Sequence, residues 1–258
     1  MLATLPESAE RTQQELALQL ILGELVMDVK GMASLEAGEV YTRAHALCQQ
    51  VGESRQLCRV LWGLIAVYNG LGRLHTAEEL GRQFLDLVQR QPDSVLVRDS
   101  LVIVGGNASY RGDFVMARAL LEQSLEVSDV PRSAATYFPG RLHPKIISYA
   151  WLLRPLWELG YADQAQRRCQ EALALAQQLG HTPSLALVDY FAAMLFQSRR
   201  DAVATYARAD ALMAFATTQG LAHRVEQGRL LLGWALAMQG DAATGVSRST
   251  KGWRRIET

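Results

Sequence analysis

From Ala165 onward, apolar or small residues fall at Ala165, Cys169, Ala172, Leu173 and Ala176. Those offsets of 0, 4, 7, 8 and 11 line one face of an α-helix. Gln166, Arg167, Gln170 and Gln177 lie on the other side and suit water. The preceding segment, KIISYAWLLRPLWELG (Lys145–Gly160), is apolar on most sides, as a helix packed between neighbours should be. Pro155 inside it lacks a backbone donor, which predicts a kink and leaves the Trp151 carbonyl needing another partner. Gly at the junction permits the left-handed residue that ends one helix, and a small polar residue after it starts the next. TPSLA (Thr182–Ala186) reads as a cap with Pro in the first turn. The pattern predicts a pair of antiparallel helices.

That pair recurs. ALCQQVG (Ala46–Gly52) returns as ALAQQLG (Ala174–Gly180), 128 positions later. GRLHTA at Gly72, GDFVMA at Gly112, GYADQA at Gly160, a weaker RDAVAT at Arg200 and GDAATG at Gly240 are spaced by 40, 48, 40 and 40 residues. Forty places before Gly72 lies Met32, beside Gly31. The 128-residue echo is three periods of 40 plus the same excess of 8. The excess lies in SDVPRSAATYFPGRLHP (Ser128–Pro144), which holds three prolines and no helical period and is predicted as a long loop inside a repeat. The chain therefore reads as all-α, a superhelix of about six antiparallel helix pairs in one domain spanning residues 1–258. Repeats end near residues 52, 92, 131, 180 and 220, and an incomplete last one runs to 258.

One stretch reads differently in isolation. SLVIVGGN (Ser100–Asn107) has the look of a strand entering a phosphate loop, but neither GxGxxG nor a GK[ST] ending follows. Gly105 stands seven residues before Gly112, as Gly233 stands before Gly240 and Ala193 before Arg200. A small residue there predicts close helix packing.

These offsets resemble the tetratricopeptide repeat (TPR). Leu64 and Tyr68 match the family's large apolar positions, Gly105 and Gly233 its small one, and Ala77, Ala117 and Ala165 the Ala of its second helix. The chain departs from the pattern in its unit of about 40 residues rather than 34, and in Ile65 and Leu153 at the small position. LPESAERTQQELALQL (Leu5–Leu20), RVLWGLIAVYNGLG (Arg59–Gly72) and CQEALALAQQLGH (Cys169–His181) resemble the C-terminal arrays of bacterial adenylate/guanylate cyclase–ATPase signalling proteins. The resemblance implies a regulatory, protein-binding module whose partner is a protein or the adjoining ATPase and cyclase domains. The alternative it leaves open is the effector-sensing array of a transcription activator like that of the maltose regulon, with a small molecule or peptide in its groove.

Composition narrows the function without naming it. The 258 residues are 49% hydrophobic, with 26 basic and 26 acidic side chains. Zero net charge argues against a nucleic-acid binder, and RSTKGWRR (Arg248–Arg255) reads as the polar face of a last helix. No apolar run is long enough to span a membrane, and the first residues, MLATLPESAERTQQ, are not expected to be a secretory leader. Cys48, Cys58 and Cys169 have no metal or redox spacing and fit reduced packing thiols in a cytoplasmic protein. His45, His75, His143, His181 and His223 are scattered, and no GxSxG occurs. Glu78 and Glu79 are expected in solvent. No catalytic, metal or cofactor residue is expected. A last unit that stops 18 residues after Gly240, with Trp253 near its end, leads us to expect a segment of a longer protein.

What a repeat array offers is the concave side formed by its first helices. Counting back from each junction places Arg59, Trp62, Asn69, Arg154, Trp157, Glu158, Tyr190, Gln197, Gln227 and Trp234 there. Arg and aromatic residues are the usual anchors of a bound partner. Trp62, Trp157 and Trp234 fit equally as core residues filling space between long helices. The region around Pro155, beside the long loop, is the expected contact point.

Overall fold

Twelve α-helices and no strand make up the described residues of the computed structural model, namely 8–51, 54–90, 93–127 and 142–256. They are α1 (Ala9–Lys30), α2 (Leu35–Val51), α3 (Ser54–Gly70), α4 (Leu74–Arg90), α5 (Ser94–Tyr110) and α6 (Phe114–Glu126), then α7 (Pro144–Glu158), α8 (Ala162–Leu179), α9 (Thr182–Ser198), α10 (Ala202–Thr218), α11 (Ala222–Met238) and α12 (Ala242–Ile256). They form two compact units, residues 1–144 and 145–258. In the first, α1 packs on α2, α3 on α4 and α5 on α6; α2 then meets α3, α4 meets α5, and the first helices α1, α3 and α5 touch in succession. The second unit repeats the scheme, with α8 on α9, α9 on α10, α10 on α11, α11 on α12 and α9 on α11. Arg168 of α8 lies over the Tyr149 ring of α7, 5.7 Å from its centre. Most of the predicted loop, from Ser128 to Arg141, lies outside the described residues.

The junctions explain the period. Gly72, Gly112, Gly160 and Gly240 all have positive φ, and Arg200 takes the same place at φ 59°. At each, two backbone bonds close the first helix. Gly72 N–H donates to the Asn69 carbonyl and Arg73 N–H to that of Tyr68. The pair recurs as Gly112 to Ser109 with Asp113 to Ala108, Gly160 to Trp157 with Tyr161 to Leu156, Arg200 to Gln197 with Asp201 to Phe196, and Gly240 to Ala237 with Asp241 to Leu236. This satisfies carbonyls that a helix end otherwise leaves orphaned. The following residue then caps the second helix: Asp113, Asp201 and Asp241 accept from the N–H of Met116, Ala204 and Thr244. At α8 this fails, because Tyr161 supplies no side-chain cap and Asp163 sits inside the first turn.

Second helices bury a stripe at offsets 0, 4, 7 and 11. It reads Ala37, Tyr41, Ala44, Cys48 in α2, Ala77, Gly81, Phe84, Val88 in α4, Ala165, Cys169, Ala172, Ala176 in α8 and Thr205, Ala209, Leu212, Ala216 in α10. Leu173, expected on this face, is only half-buried, and so is Gln166, expected in water. Gly105 and Gly233 sit where a Cβ would come within 2.9 Å of Leu121 Cγ and 2.3 Å of Ser249 Oγ. Close helix packing, not a phosphate loop, thus accounts for Gly105 in Ser100–Asn107, which is part of α5. The helix α7 continues through Pro155, and Leu159 N–H donates to the Pro155 carbonyl at 3.1 Å.

Polar contacts tie consecutive pairs together. Asn107 Nδ2 of α5 donates to Asn69 Oδ1 of α3 at 2.7 Å and to the Leu74 carbonyl at 3.3 Å, inside the core. Glu78, expected in solvent, is half-buried instead, with Arg111 Nη1 at 2.7 Å from its Oε1, while Glu79 is exposed.

Two stability predictions follow from this packing. The Tyr41 ring fills the space between Gly23 and Gly63, where added Cβ atoms would approach it to 2.7 and 2.2 Å. Gly63→Ala is therefore expected to lose about 1–3 kcal/mol in urea unfolding, since a rigid ring cannot yield. The control Gly38→Ala meets only the Val67 Cγ1 at 3.4 Å, and is expected to gain up to about 1 kcal/mol of helix propensity. Arg200→Gly relieves a left-handed side-chain clash and is expected to gain roughly 1 kcal/mol by the same measurement.

Candidate functional site: the first-helix side of the second unit

The ten predicted residues separate by burial. In the first unit Trp62 and Asn69 are core, 4% and 5% exposed. Asn69 is held by Asn107, as above. Arg59 is half-buried, with its Nη2 on Glu24 Oε1 of α1 at 2.6 Å. Trp62 and Asn69 serve packing between pairs, which corrects their placement on an open binding surface. The deciding factor is neighbour density: α3 has α1, α2, α4 and α5 against it, so little of its circumference stays free.

In the second unit contacts gather around Tyr190. Tyr190 of α9 is half-buried, edge-on to Phe191 at 5.2 Å and packed against the apolar cluster of Ala193, Ala209, Leu231 and Leu232. The Arg224 guanidinium of α11 lies over its ring, 5.6 Å from the centre. Such a contact favours the cation by about 0.5–2 kcal/mol according to its exposure. Burial pushes the Tyr190 phenol up, and the charges of Arg224 and Arg154 pull it part of the way back. The charge of Arg154 of α7 is thus felt at Tyr190 as well. Arg224 Nη1 donates to Gln227 Oε1 at 2.9 Å, which seats Gln227 beside the ring.

The rest extend this patch by helical period. Glu158, one turn after Arg154 with carboxylate and guanidinium 3.8 Å apart, is exposed, as is Arg154, while Trp157 is half-buried. Gln197 lies two turns after Tyr190, and Trp234 two turns after Gln227; both are half-buried. Sequence reading missed Arg224, although it precedes Gln227 by three and so shares its face. The patch can bind by stacking, by guanidinium bonds to carboxylates or carbonyls, and by the Gln amides.

Nothing here resembles reaction chemistry. Among the described residues no group of three His, Cys, Asp or Glu could hold a metal, and no helix is long and apolar enough to cross a membrane. All three cysteines are free and buried. Burial, with Asp93 and Cys48 nearby, raises the Cys58 thiol to about 11, and burial raises Cys169 to about 11. Neither is a thiolate at neutral pH. His181 acts in a turn, its Nδ1 2.8 Å from Ser184 Oγ at the start of α9. A cleft of about 550 Å³ in the first unit, open to solvent, is lined by Leu35, Thr42 and Arg43 of α2 with Tyr68 and Arg73, and contains none of the ten residues.

Beside Tyr190, Asp189 contacts Arg208 Nη1 at 3.3 Å. Burial raises its carboxyl above the ordinary value despite the Arg208 charge. A native state that holds this proton more tightly than the unfolded chain loses stability as pH rises from about 4 through the raised value. Asp189→Asn should remove that decline from the pH dependence of urea unfolding. A wild-type slope in the variant would assign the titration to another group.

The geometry agrees with the relatives found by structure. No protein-family model matches the chain, and no curated protein does. Among solved structures, apo RapI aligns with 99% of this chain and 88% of its own at a TM-score of 0.69 and 12% identity. BtubC (BKLC) from P. vanneervenii aligns over 95% and 90% at 0.57 and 16% identity. A putative kinesin light chain with nearly identical TPR-like repeats, from Podosopora anserina, aligns over 79% and 95% at 0.53 and 16% identity. At such identities the likeness concerns the fold alone. In fold, this chain is a TPR-like array of six antiparallel helix pairs.

Proposed function

We propose that the chain is a non-catalytic interaction and regulatory module that grips a segment of a partner protein on the first-helix side of residues 145–258. The observation that carries this is the half-buried Tyr190 ring with the Arg224 guanidinium over it, from which Gln227 in turn accepts. An amphipathic ring fixed by packing loses little entropy on binding, and guanidinium groups suit carboxylates by charge. The exposed Arg154 and Glu158 offer opposite charges for orienting a bound segment. The sequence resemblance quoted above supports a setting in a bacterial cyclase–ATPase signalling protein, in the cytoplasm, with the attached domains as the receivers of the regulatory signal.

Selection of linear peptides from a displayed library on the full chain, followed by calorimetry of the selected peptide, tests the site. Arg154→Ala with Trp157→Ala, and separately Tyr190→Ala, should each weaken binding by about tenfold or more. Arg167→Ala, exposed on α8, should leave it unchanged. Equal affinities across these variants would remove the site from this face. Thermal shifts against sugars and nucleotides measure the small-ligand reading, in which a groove ligand raises the melting temperature by mass action.

A further inference from the structure

The open cleft of about 550 Å³ in the first unit contains none of the residues of the site proposed above. Small residues build it. A Cβ on Gly38 of α2 would lie 3.4 Å from Val67 Cγ1 of α3, and one on Gly70 would meet the Met32 backbone at 2.6 Å. The start of α2 and the end of α3 are thereby held close, and Leu71 and Arg73 of the α3–α4 turn share the cleft with Leu35 and Thr42 of α2. Leu35 is 67% exposed, and Tyr68 and Leu71 are half-buried, so the apolar walls stay wet. A cleft of this volume is large enough for a small organic molecule.

Arg73 is the anomaly in its lining. Its carbonyl accepts the Ala77 N–H at 3.1 Å and so opens α4, just as the carbonyls of Asp113, Asp201 and Asp241 open α6, α10 and α12. At those three junctions the carboxylate also bonds a first-turn N–H. An Arg in that place loses the side-chain bond and sets a cation at the positive end of the helix. Folding thus gives no reason for a guanidinium there. Among the described residues the Arg73 side chain has no hydrogen-bond or ion-pair partner, and it is exposed in the cleft. Arg43, the other cation of the lining, is already bonded to Glu15, its Nη2 2.7 Å from Oε1. Glu39, exposed in the same lining, is the group that would favour a cation instead. Its side chain displaces no cap and opposes no dipole, so no ligand is needed to account for it.

We propose that the cleft binds a small amphipathic carboxylate, with its acid group on the Arg73 guanidinium and its apolar body against Leu35, Leu71 and the Tyr68 ring. A guanidinium matches a carboxylate in charge and in the geometry of two parallel bonds. Chemical-shift titration of the full chain with octanoate, 1-octanol and octylammonium tests this. Octanoate should bind saturably, shift the signals of Thr42, Tyr68 and Leu71, and bind about tenfold more tightly than 1-octanol, the usual effect of one charge-assisted contact near a surface. Arg73→Asp supplies the cap of the other junctions, so it should keep or raise the melting temperature while octanoate loses its advantage. Arg73→Gln, which removes only the charge, should lose the same advantage, and this result stands even if the Asp variant fails to fold. Glu39→Gln should tighten octanoate binding. A preference for octylammonium assigns the cleft to Glu39 and overturns the proposal. Absence of saturable octanoate binding overturns it too, as does an octanoate advantage that survives loss of the Arg73 charge. Shifts confined to the exposed Leu22 and Leu25 of α1 would mean adsorption there and sink it equally.

Discussion

Every helix pair depends on the closeness with which a second helix approaches the first helices on either side. Small residues at the head of the buried stripe, Ala37, Ala77, Ala117, Ala165 and Thr205, are all fully buried. A larger group there would hold the backbones apart and strip contacts from the rest of the stripe, because dispersion falls off within an ångström. The large members then fill what remains. Tyr41 occupies the space left by two glycines on two different helices, so one ring fixes α1, α2 and α3 together. Stability in each unit is therefore a sum of neighbour terms, and no pair is complete alone.

Polar groups set register on that apolar base. The Asn107–Asn69 bond and the Arg111–Glu78 pair both reach from one pair to the next. The buried amide bond contributes little net energy when made and costs much when broken. It penalises a sliding of α5 along α3 that apolar contacts would tolerate. The partly exposed ion pairs contribute about 0–1 kcal/mol each, so they orient rather than hold.

The repeat was legible in the sequence because its punctuation is backbone chemistry. A positive-φ residue at intervals of 40, or 48 across the long loop, followed at three of the five junctions by an Asp cap, is a local requirement, and it shows through even where Arg200 replaces the Gly. The Gly105 and Gly233 packing positions were legible for the same reason, being tied by a fixed count to that punctuation. Burial across pairs was not. Trp62 lies ten residues before Gly72 and Trp157 three before Gly160, so they hold different places in the repeat, and one is core while the other is half-buried. Glu78 looked like any acid at a helix start, and its partner Arg111 is 33 positions away in a turn. Pairings of that kind depend on the rotation of one pair against the next, which no single-helix period encodes.

The same neighbour count separates scaffold from site. A first helix wrapped on all sides, like α3, has spent its aromatic and amide groups on its own neighbours: Asn69 is bonded to Asn107, and Trp62 is buried. Such groups cannot contact a partner without opening the core. Tyr190 keeps one side of its ring in the core and gives the other to Arg224. The core side holds the ring in one orientation, so ordering it costs a partner little further. In the proposed site, a carboxylate or carbonyl brought to Arg224 would make a charge-assisted bond.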